Sequence, residues 1–135
     1  MAVAWLAGGG AEAASPSVGE SDRQAIRSVI QNQIQAFQKD DGDLAFSFAS
    51  PMIHGLFGTP ENFMAMVRGG YRPVYRPRDV QFRDIVDYQG QLTQRVLVIG
   101  PDGKPVMALY MMEQQPDGSW RINGCVLTET DDTSA

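Results

Sequence analysis

At 135 residues, with 43% hydrophobic and 20% charged side chains, the chain has the length and composition of one folded domain. That excludes a multidomain assembly and general disorder. Its formal net charge of -5 argues against nucleic acid as a partner, because neutralising phosphates takes a surplus of Lys and Arg.

Residues 1–14 carry one charge, Glu12, and run from a short apolar stretch through Gly8-Gly9-Gly10 to Ala11-Glu12-Ala13-Ala14. This reads as the back half of a secretory signal with an A-x-A cleavage site after Ala13, and predicts a periplasmic or secreted protein. Neither this stretch nor any later one approaches the ~20 apolar residues of a membrane span. Residues 15–21 read as a linker, residues 22–129 as a single α+β domain and residues 130–135 as a disordered acidic tail.

Three helices are predicted first. Ser21 as N-cap, with Gln24 at the capping-box position, opens a helix over residues 22–39. Ile26, Val29, Ile30, Ile34 and Phe37 form its apolar stripe. A short second helix starts at Asp43 and stops before Pro51. Thr59-Pro60-Glu61 opens the third, and Gly69-Gly70 closes it. The tandem Tyr71-Arg72-Pro73-Val74-Tyr75-Arg76-Pro77 is predicted to be extended. Four strands follow, over residues 79–88, 91–99, 105–114 and 120–129.

The turns Pro101-Asp102-Gly103 and Pro116-Asp117-Gly118 suggest a register. Val98 then opposes Val106, Val96 opposes Ala108, and Tyr110 opposes Gly124. One face collects Val96, Val98, Ala108, Tyr110, Ile122 and Val126 and should pack on the helices. The other collects Arg95, Leu97, Met107, Leu109, Met111 and Leu127, with Cys125. It is mixed but too apolar to face water comfortably, so a homodimer through it is expected. Glu113 opposite Arg121 should make a cross-strand pair. Helices followed by a strand meander predict α+β, three N-terminal helices on one face of a curved antiparallel sheet of about four long strands.

Particular residues also carry a resemblance. They are Ala36-Phe37 with Asp40-Asp41, the run from Ala45 to Pro51, Phe57-Gly58, Met66-Val67, Tyr71 to Tyr75, and the run from Gly118 to Cys125. In these the chain resembles a family of small bacterial exported proteins known as a domain of unknown function, with a cystatin-like, nuclear-transport-factor-two-like cone fold. The resemblance implies that fold and no activity, since related folds host isomerases, dehydratases, hydrolases and plain binding domains.

Few residues suggest chemistry. A single cysteine and a single histidine exclude an intrachain disulfide and a zinc site of the usual kind. No Gly-rich phosphate loop is present, so no cofactor is expected. Asp84 shares its side of the first strand with Val80, Phe82, Val86 and Tyr88, where a raised pKa would suit an acid or base. Were Gln89-Gly90 a two-residue turn, Asp84 would instead pair with Arg95. His54, between the second and third helices, fits a general base or a ligand contact, or a loop histidine without a role. Arg68, Arg72, Arg76, Arg78 and Arg83, interleaved with Tyr71 and Tyr75, fit an anion site or ordinary pairing with nearby acids. Cys125 reads as an inert core thiol.

The reading that follows is a non-catalytic exported domain binding a small molecule or a protein partner. The alternatives are a small-pocket acid/base enzyme, isomerase- or dehydratase-like, using Asp84 or His54, and a structural accessory subunit. The expected pocket is mostly apolar and lies near Tyr110, with His54 and Tyr75 toward its mouth and Arg76 beside them. It should take a small apolar or anionic ligand.

Overall fold

Ile26, Ile30, Ile34 and Phe37 recur at helical spacing. In the computed structural model, which describes residues 18–130, they form the buried stripe of α1 (Glu20–Gln38). The helix begins before residue 22. Its N-cap is Gly19 rather than Ser21, and Glu20 and Asp22 offset the open amides of the first turn. The signal-like segment and residues 131–135 lie outside the described residues.

The described residues form five helices where the sequence suggests three. Asp41 caps α2 (Gly42–Ser47), Ser50 caps α3 (Pro51–Phe57) and Thr59 caps α4 (Pro60–Gly70), each side-chain oxygen accepting a backbone N–H of the first turn. Pro51, read from the sequence as a helix stop, is the first residue of α3. A proline lacks an N–H that the first turn would leave unpaired anyway. His54 therefore lies within α3 and not in a loop. Residues 71–77 are not extended throughout, because Arg72–Tyr75 make one helical turn, α5, again with proline in its first turn.

Strands β1 (Asp79–Tyr88), β2 (Gln91–Ile99), β3 (Pro105–Gln114) and β4 (Trp120–Glu129) form an antiparallel meander in the order β1-β2-β3-β4. Their ends are those the turn residues predict. Gln89 and Gly90, both at positive φ, make the two-residue turn between β1 and β2. Gly103 and Gly118 take the left-handed position after each Pro-Asp, with φ of 82° and 90°.

The register of β2 on β3 is the expected one, Val98 opposite Val106 and Val96 opposite Ala108. That of β3 on β4 holds from Gln114 opposite Trp120 to Met112 opposite Ile122, then slips at Asn123. Beyond that bulge Met111 pairs with Gly124 and Tyr110 with Cys125, so Tyr110 does not oppose Gly124. Cys125 and Leu127 turn toward the helices and pack on the core, and Val126 takes the other face beside Leu109. Arg121 and Glu113 are opposite as expected, but the guanidinium donates to the Ala49 carbonyl and the carboxylate accepts from Gln115. A second bulge interrupts β1, where Phe82 pairs with Val96 but Ile85 with Gln94. It turns Ile85 into the core and leaves Asp84 to bond Arg95.

The core joins the α1 stripe with Phe46, Phe63 and Met64 of the short helices and with Val96, Ala108 and Tyr110 of the sheet. Leu97 and Met107 are buried outside that cluster. No helix among the described residues is long and apolar enough to cross a membrane.

Between α2 and α3 the chain runs briefly parallel to β4. Ala49 bridges Ile122, the Ser50 amide donates to the Ile122 carbonyl at 2.9 Å, and the Ile122 amide donates to the Phe48 carbonyl at 2.8 Å. Ser50 is fully buried, and its hydroxyl donates to Asn123 Oδ1 at 2.7 Å while capping α3. Ser50→Ala removes the cap and leaves Asn123 short of a partner, so denaturant unfolding should show a loss of about 1–3 kcal/mol. An unchanged midpoint would show that the Ser50–Asn123 bond does not hold α3 to β4.

Candidate functional site

Tyr110 lies in the middle of β3, between Gln94 and Cys125 on the helix-facing side, and is 1% exposed. Its hydroxyl is buried and makes no hydrogen bond of sound geometry. The Cys125 thiol lies beside it. Burial, and after it Cys125, push the Tyr110 phenol well above its ordinary value of 10, so it stays protonated. Burial likewise pushes the Cys125 thiol up to about 12, which leaves it unreactive as a nucleophile.

A cavity of about 330 Å³ adjoins Tyr110. Its floor is Tyr110, Ile122 and Cys125 of the sheet. Gln33 and Phe37 of α1 form one wall, and Phe63 and Val67 of α4 with Val74 of α5 form another. Ile53, Leu56 and Phe57 of α3 complete it. Leu56 both lines the cavity and is 70% exposed, so the cavity reaches the surface at α3. Polar groups in the lining are few. Gln33, buried in the apolar stripe of α1, donates its amide Nε2 to the Ala45 carbonyl at 3.1 Å. The Tyr71 hydroxyl donates to the Cys125 carbonyl at 2.9 Å. No charged side chain lines the cavity.

Residues 19–135 match the family described as "Domain of unknown function (DUF4864)". The chain belongs to this family. No curated protein and no solved structure matches it. The family description carries no activity, so the chemistry has to be read from the side chains.

Of the ligand contacts expected from the sequence (His54, Tyr75, Arg76 and Tyr110), Tyr110 alone lines the cavity, joined there by Cys125 and by Tyr71 of the basic stretch. His54 is not in the lining; its Nε2 is bonded to the Phe46 carbonyl at 2.7 Å and its ring is stacked on Phe46 at 3.9 Å. Tyr75 likewise lies outside the lining, next to Val74, which is in it. The cap at Ser50 directs His54 into helical contact with the preceding segment, and the turn of α5 carries Tyr75 to the end of α1. Asp84 is half exposed and paired with Arg95. Among the described residues no three His, Cys, Asp or Glu side chains gather as metal ligands.

Tyr75 and Arg76 belong to a polar cluster around Asp40. The Tyr75 hydroxyl donates to Asp40 Oδ1, and Arg76 Nη2 donates to Oδ2 at 2.9 Å. Arg76 Nη1 donates at 2.6 Å to the Phe37 carbonyl at the end of α1, which also accepts the Asp40 amide at 3.0 Å. Arg68 Nε donates to the Tyr75 hydroxyl at 3.3 Å, and the Arg76 guanidinium lies 4.0 Å from the centre of the Tyr75 ring. Two arginines of the basic stretch are thus engaged by one aspartate.

Sequence reading missed Gln33 and the α3 wall, and assigned Tyr71 to the basic stretch and not to the cavity. Gln33 had a signal, since a glutamine follows Ile26 and Ile30 at core spacing. The α3 wall had one too, in Ser50-Pro51.

The Tyr75 hydroxyl, and behind it the Arg76 guanidinium, hold Asp40 below its ordinary value of 3.8. A carboxylate lowered on folding stabilises above its unfolded value, and that contribution is lost as pH falls through the folded one. Asp40 has φ of 54°, which asparagine also tolerates. Asp40→Asn should therefore be less stable than wild type at neutral pH, with the gap closing below about pH 4. Urea midpoints measured across that range test this, and a gap independent of pH would show that charge is not what Asp40 contributes.

Proposed function

We propose that this protein binds a small molecule in the cavity between its helices and its sheet, and does so without catalysis. The observation that carries the reading is the Tyr110 hydroxyl, buried, unpartnered and set in an apolar lining. Buried polar groups are almost always paired, so an unpaired one at a cavity calls for an absent partner. The order of elements fits the cystatin-like cone that the sequence resembles, in which a gap between helices and sheet suits a ligand. An acid/base enzyme would need a carboxylate or imidazole at the cavity. Asp84 is tied to Arg95 and His54 to the Phe46 carbonyl, and neither is in the lining.

Tyr110→Phe, which removes only the orphan, should leave the ligand-free protein equally stable or stabilise it by about 1–3 kcal/mol in denaturant. Native mass spectrometry after incubation with a metabolite mixture should show a retained small molecule, lost when Val67→Phe fills the cavity. A clear loss of stability in Tyr110→Phe, with nothing retained by wild type, would mean that Tyr110 serves packing alone.

Two further parts of the reading concern where and how the domain works. The A-x-A pattern supports export. Protein recovered from the periplasm should then begin near Ala14 or Ser15 by intact mass, and a cytoplasmic product keeping residues 1–14 would refute it. The half-buried Leu109 and Val126 on the face away from the core cluster support a two-fold dimer, in which a second copy covers the same patch. Leu109→Arg should convert a dimer to a monomer in light scattering, and a monomeric wild type at micromolar concentration would end the proposal.

A further inference from the structure

We infer that the ligand is a neutral, mostly hydrocarbon molecule bearing one hydroxyl group, seated with that hydroxyl deep, at Tyr110 and Gln33, and its chain toward α3. The inference rests on the cavity being a binding site, and it adds the ligand's charge, polarity and direction.

Charge is decided by what the lining lacks. It contains hydrocarbon, two thioethers, two phenols, one amide and one thiol, and no ionised side chain. A carboxylate or ammonium would lose its hydration there without gaining a counter-ion, which is among the costliest events in a protein interior. The arginines best suited to an anion, Arg68 and Arg76, are already bonded to Asp40 and Tyr75. A neutral ligand meets no such obstacle.

Polarity follows from which hydrogen-bonding positions are open. The Tyr110 phenol stays protonated, and the neighbouring Cys125 sulfur, a weak acceptor, gives it no hydrogen bond of sound geometry, so it offers a donor. The Ala45 carbonyl fixes which end of the Gln33 amide is nitrogen and leaves Oε1 as an acceptor in the same cavity. The Tyr71 hydrogen is already given to the Cys125 carbonyl. One donor and one acceptor are complemented by a group that both accepts and donates, which a hydroxyl does through a single oxygen. A ketone or ether would answer Tyr110 only.

Direction follows from depth. Tyr110 and Gln33 are 1% and 3% exposed, whereas Leu56 at the opening is 70% exposed. The polar positions lie at the closed end and the opening is hydrocarbon, so the hydroxyl enters first and the chain trails along Ile53, Leu56 and Phe57. At about 30 Å³ for each water-sized group, a 330 Å³ cavity accepts on the order of ten heavy atoms.

The test uses the full chain at about pH 8, where carboxylic acids and alkylamines are ionised. The probes are n-octanol, octanoate, octylammonium and butylbenzene, read by calorimetric titration and by thermal shift. Octanol should raise the melting temperature and bind at least tenfold more tightly than octanoate or octylammonium. Tyr110→Phe should weaken octanol by about tenfold and leave butylbenzene unchanged. Octanoate or octylammonium binding as well as octanol would overturn the ligand class while leaving the cavity a binding site. So would octanol binding equally to wild type and Tyr110→Phe. If none of the four binds, butylbenzene included, the cavity reading falls and the ligand class falls with it.

Discussion

The inserted residue in β4, at Asn123, decides which side chains meet the helices. Without it Tyr110 would sit beside Gly124, and Cys125 would point away from the core. With it Cys125 and Leu127 turn inward, and the phenol gains a thiol neighbour where a hydrogen bond of proper geometry is not available. The bulge also reaches the helical layer. Asn123 accepts from Ser50, Ser50 caps α3, and the backbone of Phe48 and Ser50, on either side of Ala49, bonds Ile122. One irregularity in a strand therefore sets both the polarity of the cavity floor and the position of the wall above it, a common use of strand bulges.

The opposite side of the cavity is fixed by different chemistry. Phe37 and Val74 line it from α1 and α5, and just beyond each lie the partners of the Asp40 cluster. Arg76 bonds the last-turn carbonyl of Phe37 in α1 while pairing with Asp40 and lying over Tyr75, so one side chain fastens two elements. Each surface ion pair by itself contributes little. A network sharing one carboxylate holds a position better than its separate parts, because ordering one member orders the others.

Much of this is legible in the residues, for reasons that also explain what is not. The strand ends follow from Gln89-Gly90 and two Pro-Asp-Gly turns, because positive φ leaves few choices of residue. The α1 stripe follows from spacing. The bulges are harder. Cys125, Val126 and Leu127 are all apolar, so alternation cannot say which of them faces in, although an isolated Gly124 in a strand is itself a sign of a bulge. In β1 the signal was sharper, since Phe82 and Ile85 are three apart and period two does not allow both to face the core. Proline misled twice. Pro51 and Pro73 each sit in the first turn of a short helix, a position the stop rule ignores and the N1 rule favours. The membership of the cavity depends on how separate helices meet, which no local pattern records.

Stability is distributed unevenly around the cavity, and the unevenness bears on how it fills. α1 contributes a fully buried stripe, and α5 is fastened by Asp40. α3 has no buried residue, and what ties it down is its Ser50 cap, the His54 bond to the Phe46 carbonyl and partial packing of Ile53 and Phe57. Local opening free energy tracks buried apolar contact, so α3 is the wall of least local stability. The same helix carries the exposed Met52 and Leu56. The weak wall and the apolar opening therefore coincide, and they lie opposite the buried phenol. A core selected for stability alone would place phenylalanine at residue 110, because a buried hydroxyl without a partner costs about 1–3 kcal/mol and contributes no packing that the ring lacks. Tyrosine at the closed end, facing a yielding hydrocarbon mouth, is consistent with a site completed by something that enters through α3.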